Sequence, residues 1–345
     1  MNEIRQLYFV LSKVCNLSCN FCIRDYSINK KNSIDRLLFD IAIDKLKHLK
    51  DSTNLILSGG EPTLHPDFEY FLNTSIGIFN EVTINSNGTT KFFNTKILED
   101  ISQHKKIKVQ ISIDGSEHYH DSIRGKGSYL KSWETIKKII KFTNINVTIA
   151  TTVTNFSFLD SFKELYREIS KFENLNWSIR RVSYAGTALI SNTSYLPNHD
   201  WNRIVDHIKL QDSKNFIKID KMYDFDYLSK ISDDDIFKLS SRVIKNCGSG
   251  ITKIYIYPNL DVLACTCYEK IPSGNLIRDN LIDILNSENH QYITNHNINE
   301  EPCVNCRYVQ ICNGGCIGSG FSRNNNIGQP DIKCPKVYDL FKNYL

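Results

Sequence analysis

The sequence predicts an α/β fold, in which a largely parallel sheet of about six strand–helix repeats precedes a smaller cysteine-rich domain. Short apolar runs alternate with segments of helical periodicity over residues 1–186, as βαβ units require. The eleven cysteines form two groups, one near residue 15 and one after residue 246. With 41% hydrophobic and 23% charged residues, the composition is that of a globular protein and excludes a disordered chain.

Each predicted strand is a short apolar run. The runs lie at residues 7–11, 54–62, 81–88, 108–115, 146–153 and 176–182, and the second to fourth end in glycine turns. Between them, the apolar spacing predicts helices at residues 33–49, 68–79, 95–101, 129–142 and 158–172. Ser33 is the expected cap of the first helix. Ligands of such folds bind at the carboxyl ends of the strands, so the residues after each run are site candidates.

The first cysteine group has the spacing C-x3-C-x2-C, formed by Cys15, Cys19 and Cys22. Cysteine thiolates are the usual ligands of iron–sulfur clusters, and three of them hold three corners of a [4Fe–4S] cubane. The fourth iron then lacks a protein ligand. The alternative is a zinc site or three ordinary buried thiols, although a tetrahedral zinc requires four ligands.

This loop, following a short strand, resembles the signature of the radical S-adenosylmethionine (SAM) enzymes. In that family the amino and carboxylate groups of SAM chelate the open iron. The resemblance therefore implies SAM and a [4Fe–4S] cluster as cofactors. It also implies a partial (β/α)6 radical SAM barrel, which we assign to residues 1–215.

Two further turns match the family. Gly59, Gly60 and Glu61 form a G-G-E turn, whose backbone is implied to approach the methionine amino group of SAM, because glycine has no Cβ. Glu61 is implied to accept a hydrogen bond from that ammonium group. The alternative is an ordinary strand-to-helix turn. Ser86 and Asn87 end the next strand and either reach the ribose hydroxyl groups of SAM or cap their own turn.

Ser112, Asp114 and Arg124 also match the family pattern. In its peptide-modifying branch, the serine and the arginine at these positions contact the carboxylate and ribose of SAM. Arginine suits a carboxylate because its guanidinium group binds both oxygens. The alternative is a salt bridge between Asp121 and Arg124 that only shapes the loop.

The second cysteine group contains the run C-x2-C-x5-C-x3-C and a later lone cysteine. It resembles the SPASM domain of peptide-maturing radical SAM enzymes, which holds two auxiliary [4Fe–4S] clusters. We assign this small C-terminal domain to residues 247–345, after a connecting segment at 216–246. The ligands implied for one cluster are Cys303, Cys306, Cys312 and Cys334, and those implied for the other are Cys247, Cys265 and Cys316. Leu260 departs from the pattern, which has a glycine there.

The eleventh cysteine, Cys267, is either the fourth ligand of the second auxiliary cluster or a free thiol in the active site. Alternate residues of a strand point to opposite faces, so joint ligation by Cys265 and Cys267 requires a turn or bulge. We favour ligation. The alternative of a zinc ribbon is weaker, because such sites usually show paired C-x2-C knuckles and this domain has one such pair.

The resemblance implies that SAM is cleaved reductively to a 5′-deoxyadenosyl radical, which abstracts hydrogen from a residue of a ribosomally made peptide. The expected product is a thioether, C–C or C–O crosslink, or another oxidised residue. One alternative is a peptide epimerase with Cys267 as hydrogen donor. Another is an anaerobic sulfatase-maturing-type enzyme, whose aspartate base is replaced here by Thr266. Tyr268 and Glu269 are the remaining candidate catalytic residues.

Two alternatives belong to other classes of protein. A non-radical iron–sulfur electron-transfer protein would need no SAM motifs, so the residues that match them argue against it. A zinc-binding interaction module is the second alternative, and metal analysis distinguishes it from a cluster protein.

The expected partners are a precursor peptide and a reductant such as flavodoxin or ferredoxin. No leader-binding domain fits before Cys15, so we expect either a separate leader-binding protein or direct binding by the barrel. A net charge of +4 predicts no nucleic-acid partner. The chain has neither a signal-peptide core nor an apolar stretch of membrane-spanning length, so we expect no membrane association and a cytoplasmic location.

Overall fold

The structure, a computed structural model, describes residues 4–24, 33–154, 159–190, 196–212, 216–220, 230–240, 247–324 and 326–341. Ten strands within these ranges form one sheet. They are β1 (Gln6–Val10), β2 (Asn54–Ser58), β3 (Glu81–Ser86), β4 (Ile107–Ser112), β5 (Val147–Val153), β6 (Leu175–Arg181), β7 (Ile217–Asp220), β8 (Lys253–Ile256), β9 (Asp261–Leu263) and β10 (Gly274–Asn275). Their order across the sheet is β10-β9-β8-β1-β2-β3-β4-β5-β6-β7.

The sheet is parallel from β8 to β7, and β8, β9 and β10 pair antiparallel at one edge. Within the described ranges the two edge strands, β10 and β7, do not pair, so the barrel is partial. All six predicted strands are present, and the predicted α/β fold is confirmed. The strand β7 was not predicted.

The helices lie between the strands and, later, around the second cysteine group. They are α1 (Arg36–Leu46), α2 (Phe68–Ile78), α3 (Thr95–Ser102), α4 (Glu117–Arg124), α5 (Ser128–Phe142), α6 (Leu159–Ile169), α7 (Thr187–Ile190), α8 (Asn198–Gln211), α9 (Asp233–Ser240), α10 (Leu281–Asn286), α11 (Glu288–Thr294), α12 (Val309–Cys312), α13 (Ile317–Asn324) and α14 (Pro335–Phe341). All five helices predicted between the strands occur, although the predicted start of α6 at residue 158 lies outside the described residues. The helix α4 was missed.

The expected cap of α1 was wrong. The helix begins at residue 36, and the side chain of Asp35 accepts a hydrogen bond from Leu38 N at 2.8 Å. The Ser33 hydroxyl instead lies 2.7 Å from the Ser12 hydroxyl, at the start of the first cysteine loop. Asp35 is the cap because its carboxylate reaches the N–H group of the third residue of the helix, which has no partner within the helix.

The strand β8 joins the second part of the chain to the sheet of the first. It pairs parallel with β1, with Leu7 opposite Ile254 and Phe9 opposite Ile256. The sheet therefore continues across the predicted division of the chain. The boundaries at residues 215 and 247 stay predictions.

The core lies between the sheet and the helices that cover it. Phe39 on α1 stacks on Phe71 of α2 with ring centroids 4.4 Å apart and contacts Phe9 of β1. All three side chains are fully buried, and each contributes about 1.5–3 kcal/mol by leaving water. This packing fixes the strand ends that carry the site. In the described part of the chain, no helix has both the length and the apolar character needed to cross a membrane.

Candidate active site

The first cysteine loop, residues 11–24, leaves the carboxyl end of β1 and is held from both sides. Gly60 N, after β2, donates to Ser12 O at 2.8 Å, and Thr187 N, after β6, donates to Cys22 O at 2.9 Å. The loop is thus fixed at the same sheet edge as the turns predicted to bind SAM.

The two glycines after β2 are required by the packing of this loop. A Cβ on Gly59 would lie 2.5 Å from Ser12 O, and a Cβ on Gly60 would lie 2.3 Å from Val14 O. Real Cβ atoms do not approach oxygen so closely, and the neighbouring atoms are backbone. The glycines therefore let the turn approach the cysteine loop, a reason that the sequence did not indicate.

Glu61 is fully buried and bonded to the chain on both carboxylate oxygens. Its Oε1 accepts hydrogen bonds from Thr63 N at 3.2 Å, Thr63 Oγ1 at 2.6 Å and Ser86 Oγ at 2.8 Å, and its Oε2 accepts from Asn87 N at 2.6 Å. Burial raises the pKa of this carboxyl group. Glu61 therefore ties the turn after β2 to the turn after β3.

Ser86 and Asn87 both cap the turn after β3. Ser86 Oγ accepts from Gly88 N at 2.9 Å, and Asn87 Oδ1 accepts from Thr89 N at 2.8 Å. Asn87 also reaches the cysteine loop, because its Nδ2 lies 4.0 Å from Cys15 Sγ. The capping role is present, and contact with ribose stays a prediction.

Arg124 at the end of α4 is bound to the buried carboxylate of Asp114, after β4. Its Nε donates to Asp114 Oδ2 and its Nη2 donates to Asp114 Oδ1 at 3.2 Å. The remaining nitrogen, Nη1, lies 3.8 Å from Cys19 Sγ, and the guanidinium group lies over the Phe21 ring at 5.0 Å. A fixed cation thus stands beside the cysteine loop.

The alternative salt bridge between Asp121 and Arg124 was wrong. Asp121 accepts hydrogen bonds from Gly127 N at 2.5 Å and Tyr129 N at 2.9 Å, and so caps the start of α5. Arg124 pairs with Asp114 instead, because its Nε and Nη2 atoms both reach that buried carboxylate. Ser112, the last residue of β4, is half-buried at the same sheet edge.

The three thiols of the loop are close enough to affect one another. Burial raises the pKa of Cys15 to about 11, and the neighbouring Glu61, Cys19 and Cys22 add to the rise. Cluster ligands bind as thiolates, so iron must displace protons here and assembly is favoured at higher pH. Three thiols with Arg124 beside them fit a [4Fe–4S] cluster that leaves one iron for SAM.

A second group of thiols brings together Cys247, Cys265, Cys267 and Cys316. The Cys267 thiol donates a hydrogen bond that lowers the pKa of Cys265, and this bond and burial raise the pKa of Cys267. Burial raises the pKa of Cys316 to about 11, and the thiols of Cys247 and Cys265 lie near enough to contribute. A Cβ on Gly318 would lie 2.6 Å from Cys267 Sγ and 3.8 Å from Cys316 Sγ.

The strand geometry that opposed joint ligation does not apply. The strand β9 ends at Leu263, and Tyr268 N donates to Cys265 O at 3.1 Å, which closes a turn containing Cys267. Because both cysteines lie in this turn, their side chains can point to the same place.

The third group brings together Cys303, Cys306 and Cys334. Cys303 and Cys334 are buried against Val337, and burial with the nearby thiols of Cys334 and Cys306 raises the pKa of Cys303 to about 12. Cys312 is the last residue of α12. The described residues include all eleven cysteines, yet no three His, Cys, Asp or Glu side chains among them are placed to bind a single metal ion.

The candidate catalytic residues differ in their surroundings. Tyr268 is buried against Phe321 and its hydroxyl donates to Ile317 O at 2.7 Å, and its catalytic role stays a prediction. Cys267 lies among the thiols. The Glu269 carboxylate is partly exposed and pairs with Lys13 Nζ at 2.6 Å.

Two residues near Glu269 were missed by sequence reasoning. Tyr257 donates to Glu269 Oε1 at 2.7 Å and its hydroxyl lies 3.1 Å from the Thr266 hydroxyl, while Lys13 lies over the Tyr257 ring at 5.4 Å. These contacts join the first cysteine loop to the turn of Cys265 and Cys267. No local pattern indicates them, because Lys13 and Glu269 are far apart in sequence.

Comparison with known proteins agrees with this arrangement. The family model described as "Radical SAM superfamily" matches residues 9–169, and the SPASM model, described as an iron–sulfur cluster-binding domain, matches residues 247–307. Mycofactocin maturase MftC of Mycobacterium ulcerans is 22% identical over 347 residues, covering 96% of this chain and 88% of the relative. Sporulation killing factor maturation protein SkfB of Bacillus subtilis is 32% identical over 144 residues, covering 41% of this chain and 34% of the relative.

The fold also resembles that of Streptococcus suis SuiB, whose structure was solved with the precursor peptide SuiA. The TM-score is 0.77 at 17% identity, covering 96% of this chain and 76% of SuiB. The domain matches and the fold lead to the same conclusion. The chain belongs to the radical SAM superfamily and carries a SPASM iron–sulfur cluster-binding domain.

Proposed function

We propose that this chain is a radical SAM peptide maturase that oxidises or crosslinks a residue of a ribosomally made precursor peptide. One observation carries the proposal: the SAM-type cysteine loop and the turn of Cys265 and Cys267 are joined through Lys13, Glu269 and Tyr257. A substrate near this junction would lie between a radical source and a second redox centre. The names of MftC, SkfB and SuiB, which refer to maturation or to a precursor peptide, support the peptide as substrate class.

Cys15, Cys19 and Cys22 would hold a cluster that, when reduced and bound to SAM, would supply the radical chemistry for removing a hydrogen atom from the substrate. The protein's part is to bind and orient. Arg124 offers a guanidinium nitrogen to the carboxylate of SAM, and Asp114 fixes that group through two of the other nitrogens. Glu61 holds together the turns after β2 and β3, which would border SAM.

We propose three [4Fe–4S] clusters. Cys15, Cys19 and Cys22 hold the SAM-binding one. The eight other cysteines hold two auxiliary clusters. Cys267 is the fourth ligand of the one held by Cys247, Cys265 and Cys316, as its bond to Cys265 and its place beside Cys316 support. Oxidation of a side chain removes a hydrogen atom, a proton and one electron, and an auxiliary cluster would accept that electron.

Glu269 is the catalytic candidate that we retain for a substrate-facing role. Its carboxylate is partly exposed, whereas Tyr268 is buried. The position of the sulfatase-maturing base is held by Thr266, whose hydroxyl contacts Tyr257. The proposed assignment of domains is the barrel at 1–215, the connection at 216–246 and the SPASM domain at 247–345.

The test is to incubate the reconstituted enzyme anaerobically with SAM, dithionite and a candidate precursor peptide. The proposal predicts a peptide that has lost the mass of two hydrogen atoms, together with 5′-deoxyadenosine in equal amount. An unchanged mass in H2O with gain of one deuterium in D2O would identify an epimerase instead. No change in the peptide, although a matched substrate of MftC or SuiB type is offered, would contradict the peptide assignment.

A further inference from the structure

A lysine is buried between the second and third groups of cysteines. The side chain of Lys333 is only 8% exposed, and the residue directly precedes Cys334 of the third group. Burying an ammonium group costs free energy unless negative charge lies nearby. Neither the binding of SAM nor the proposed chemistry uses this cation, so we examined what surrounds it.

Asp331 ties the turn of Lys333 to one cysteine of each group. Its carboxylate is fully buried, and its Oδ2 accepts a hydrogen bond from Cys316 N at 3.0 Å. Its Oδ1 accepts from Lys333 N at 2.9 Å, and its carbonyl oxygen accepts from Cys334 N at 2.9 Å. Lys333 therefore lies in a turn that is fixed to ligands proposed for both auxiliary clusters.

The ammonium group of Lys333 has only distant partners among the residues that the structure describes. Its Nζ lies 3.9 Å from Asp331 Oδ2, beyond hydrogen-bond distance, and 5.8 Å from the centre of the Tyr184 ring. The Lys333 carbonyl accepts from Arg181 Nη1 at 3.3 Å, which anchors the turn to the end of β6. The cation is thus fixed in place, while the carboxylate beside it is already bound to backbone N–H groups.

The ammonium group lies beside the second group of thiols. Lys333 Nζ and Cys316 N flank the same carboxylate oxygen, Asp331 Oδ2. Burial raises the pKa of Cys316, and the nearby charge of Lys333 opposes that rise. A buried charge acts on its neighbours with little screening, because the interior has a low dielectric constant and salt does not reach it.

We propose that Lys333 sets the reduction potential of the auxiliary cluster held by Cys247, Cys265, Cys267 and Cys316, so that this cluster accepts the electron of the substrate. The inference rests on the proposed function, which assigns a cluster to these cysteines. A cluster that takes up one electron gains one negative charge, and a fixed cation beside it stabilises the reduced form. The electron comes from the substrate, which also loses a hydrogen atom to the radical and a proton to water.

The experiment measures the midpoint potentials of the auxiliary clusters in an anaerobic redox titration followed by electron paramagnetic resonance. Every protein carries Cys19→Ala, which removes a ligand of the SAM-binding cluster, so the auxiliary clusters give the signals. Lys333→Met removes the charge and keeps the length of the side chain, whereas Lys333→Arg keeps the charge. The control is Lys270→Met, which removes the same charge from an exposed lysine in the segment that follows Cys267.

In Lys333→Met, the ratio of reduced to oxidised cluster at a fixed potential should fall about tenfold for one auxiliary cluster. This fall is a downward shift of about 59 mV for one electron. Lys333→Arg should keep the potential because it retains the charge, and Lys270→Met should keep it because solvent already screens an exposed charge. Unchanged potentials in a fully loaded Lys333→Met protein would overturn the proposal.

A second neutral variant separates an effect on the potential from an effect on assembly. Lys333→Gln keeps a polar group near Asp331 and should show the same downward shift, even if Lys333→Met loses a cluster. Loss of iron from both neutral variants would assign Lys333 to cluster assembly instead, and would overturn the proposal.

The failure of this proposal is distinguishable from the failure of the proposed function. If the Cys19→Ala protein holds far fewer than about eight iron atoms per chain, the assignment of two auxiliary clusters itself fails. If it holds about eight, the potentials of the Lys333 variants decide the role of this residue alone, because neither peptide nor SAM enters the measurement.

Discussion

At the level of single residues, Asp114 is held from two sides by one helix. His120 and Arg124, one turn apart on α4, bind its backbone N–H and its carboxylate respectively, with Asp114 N donating to His120 Nδ1 at 3.1 Å. Thr152 N donates to its Oδ1 at 2.9 Å. A fully buried carboxylate with these partners orients Arg124, so its effect on SAM is through that side chain.

The variant Asp114→Asn should therefore weaken SAM binding while leaving cluster content intact. The amide keeps the size of the side chain but loses the charge-assisted bonds to Arg124, which are worth about 1.5–3 kcal/mol. Equilibrium dialysis of SAM should show about a tenfold higher Kd. An exposed carboxylate supplies the control, since Asp160→Asn should change nothing; equal affinities in the two variants would exclude a positioning role for Asp114.

His120 predicts a pH dependence of stability. Burial lowers its pKa to about 4, so the neutral ring is favoured in the folded chain. Its contribution to the free energy of unfolding is fully present above the unfolded pKa of 6.5 and is lost as the pH falls towards 4. At pH 5 the loss is about 2 kcal/mol. Thermal unfolding of the wild type should show a larger fall in Tm from pH 7 to pH 5 than that of His120→Gln. Parallel falls would show that the ring is not neutral and buried.

Substitution of Cys267 shows whether this residue is a cluster ligand or a hydrogen-atom donor. As a ligand, Cys267→Ala should lower the iron content from about twelve per chain towards about eight, because one cluster is lost. The control is Tyr268→Phe, which removes a hydroxyl from the same turn but no thiol. Iron at the wild-type level in Cys267→Ala would support the epimerase alternative and remove Cys267 from the ligand set.

At the level of elements, the close approach of the turn after β2 to the cysteine loop is the most sensitive contact. The variant Gly60→Ala places a Cβ 2.3 Å from Val14 O, so the turn and the loop must separate. We expect loss of the SAM-binding cluster, seen as a fall of about four iron atoms and loss of SAM binding.

Gly77 on α2 is the matched control, because a Cβ there meets nothing within 4 Å. Alanine favours a helix by about 1 kcal/mol over glycine, so Gly77→Ala should raise Tm and keep all iron. If Gly60→Ala and Gly77→Ala both kept the iron content of the wild type, the first cysteine loop would hold its cluster despite the displaced turn.

The elements of the sheet were predictable because their signal is local. The strands β1 to β6 are apolar runs between helical periods, and burial on both faces of a parallel sheet requires such runs. The helix α4 was missed because it is short and mostly polar, and β7 was missed because it is a four-residue strand. The cysteines that we propose as ligands were identified by their spacing, whereas the bonds of Glu61 within the chain depend on side-chain contacts that no spacing reveals.

At the level of the whole molecule, the two cysteine-bearing parts share one sheet. The pairing of β8 with β1 and the ion pair of Lys13 with Glu269 join them. Neither contact has a local sequence pattern, so the sequence predicted two domains and not the way in which they meet. The consequence is that the first cysteine loop and the turn of Cys265 and Cys267 are held in a fixed relation.

The central claim is that the loop of Cys15, Cys19 and Cys22 performs radical SAM chemistry. The most direct measurement is the formation of 5′-deoxyadenosine from SAM with dithionite under anaerobic conditions, for the wild type and for Cys19→Ala. We predict several turnovers by the wild type and none by the variant, which should keep the iron of its two auxiliary clusters, about eight atoms. A fully loaded wild type that forms no 5′-deoxyadenosine, or a variant that forms as much as the wild type, would contradict the claim.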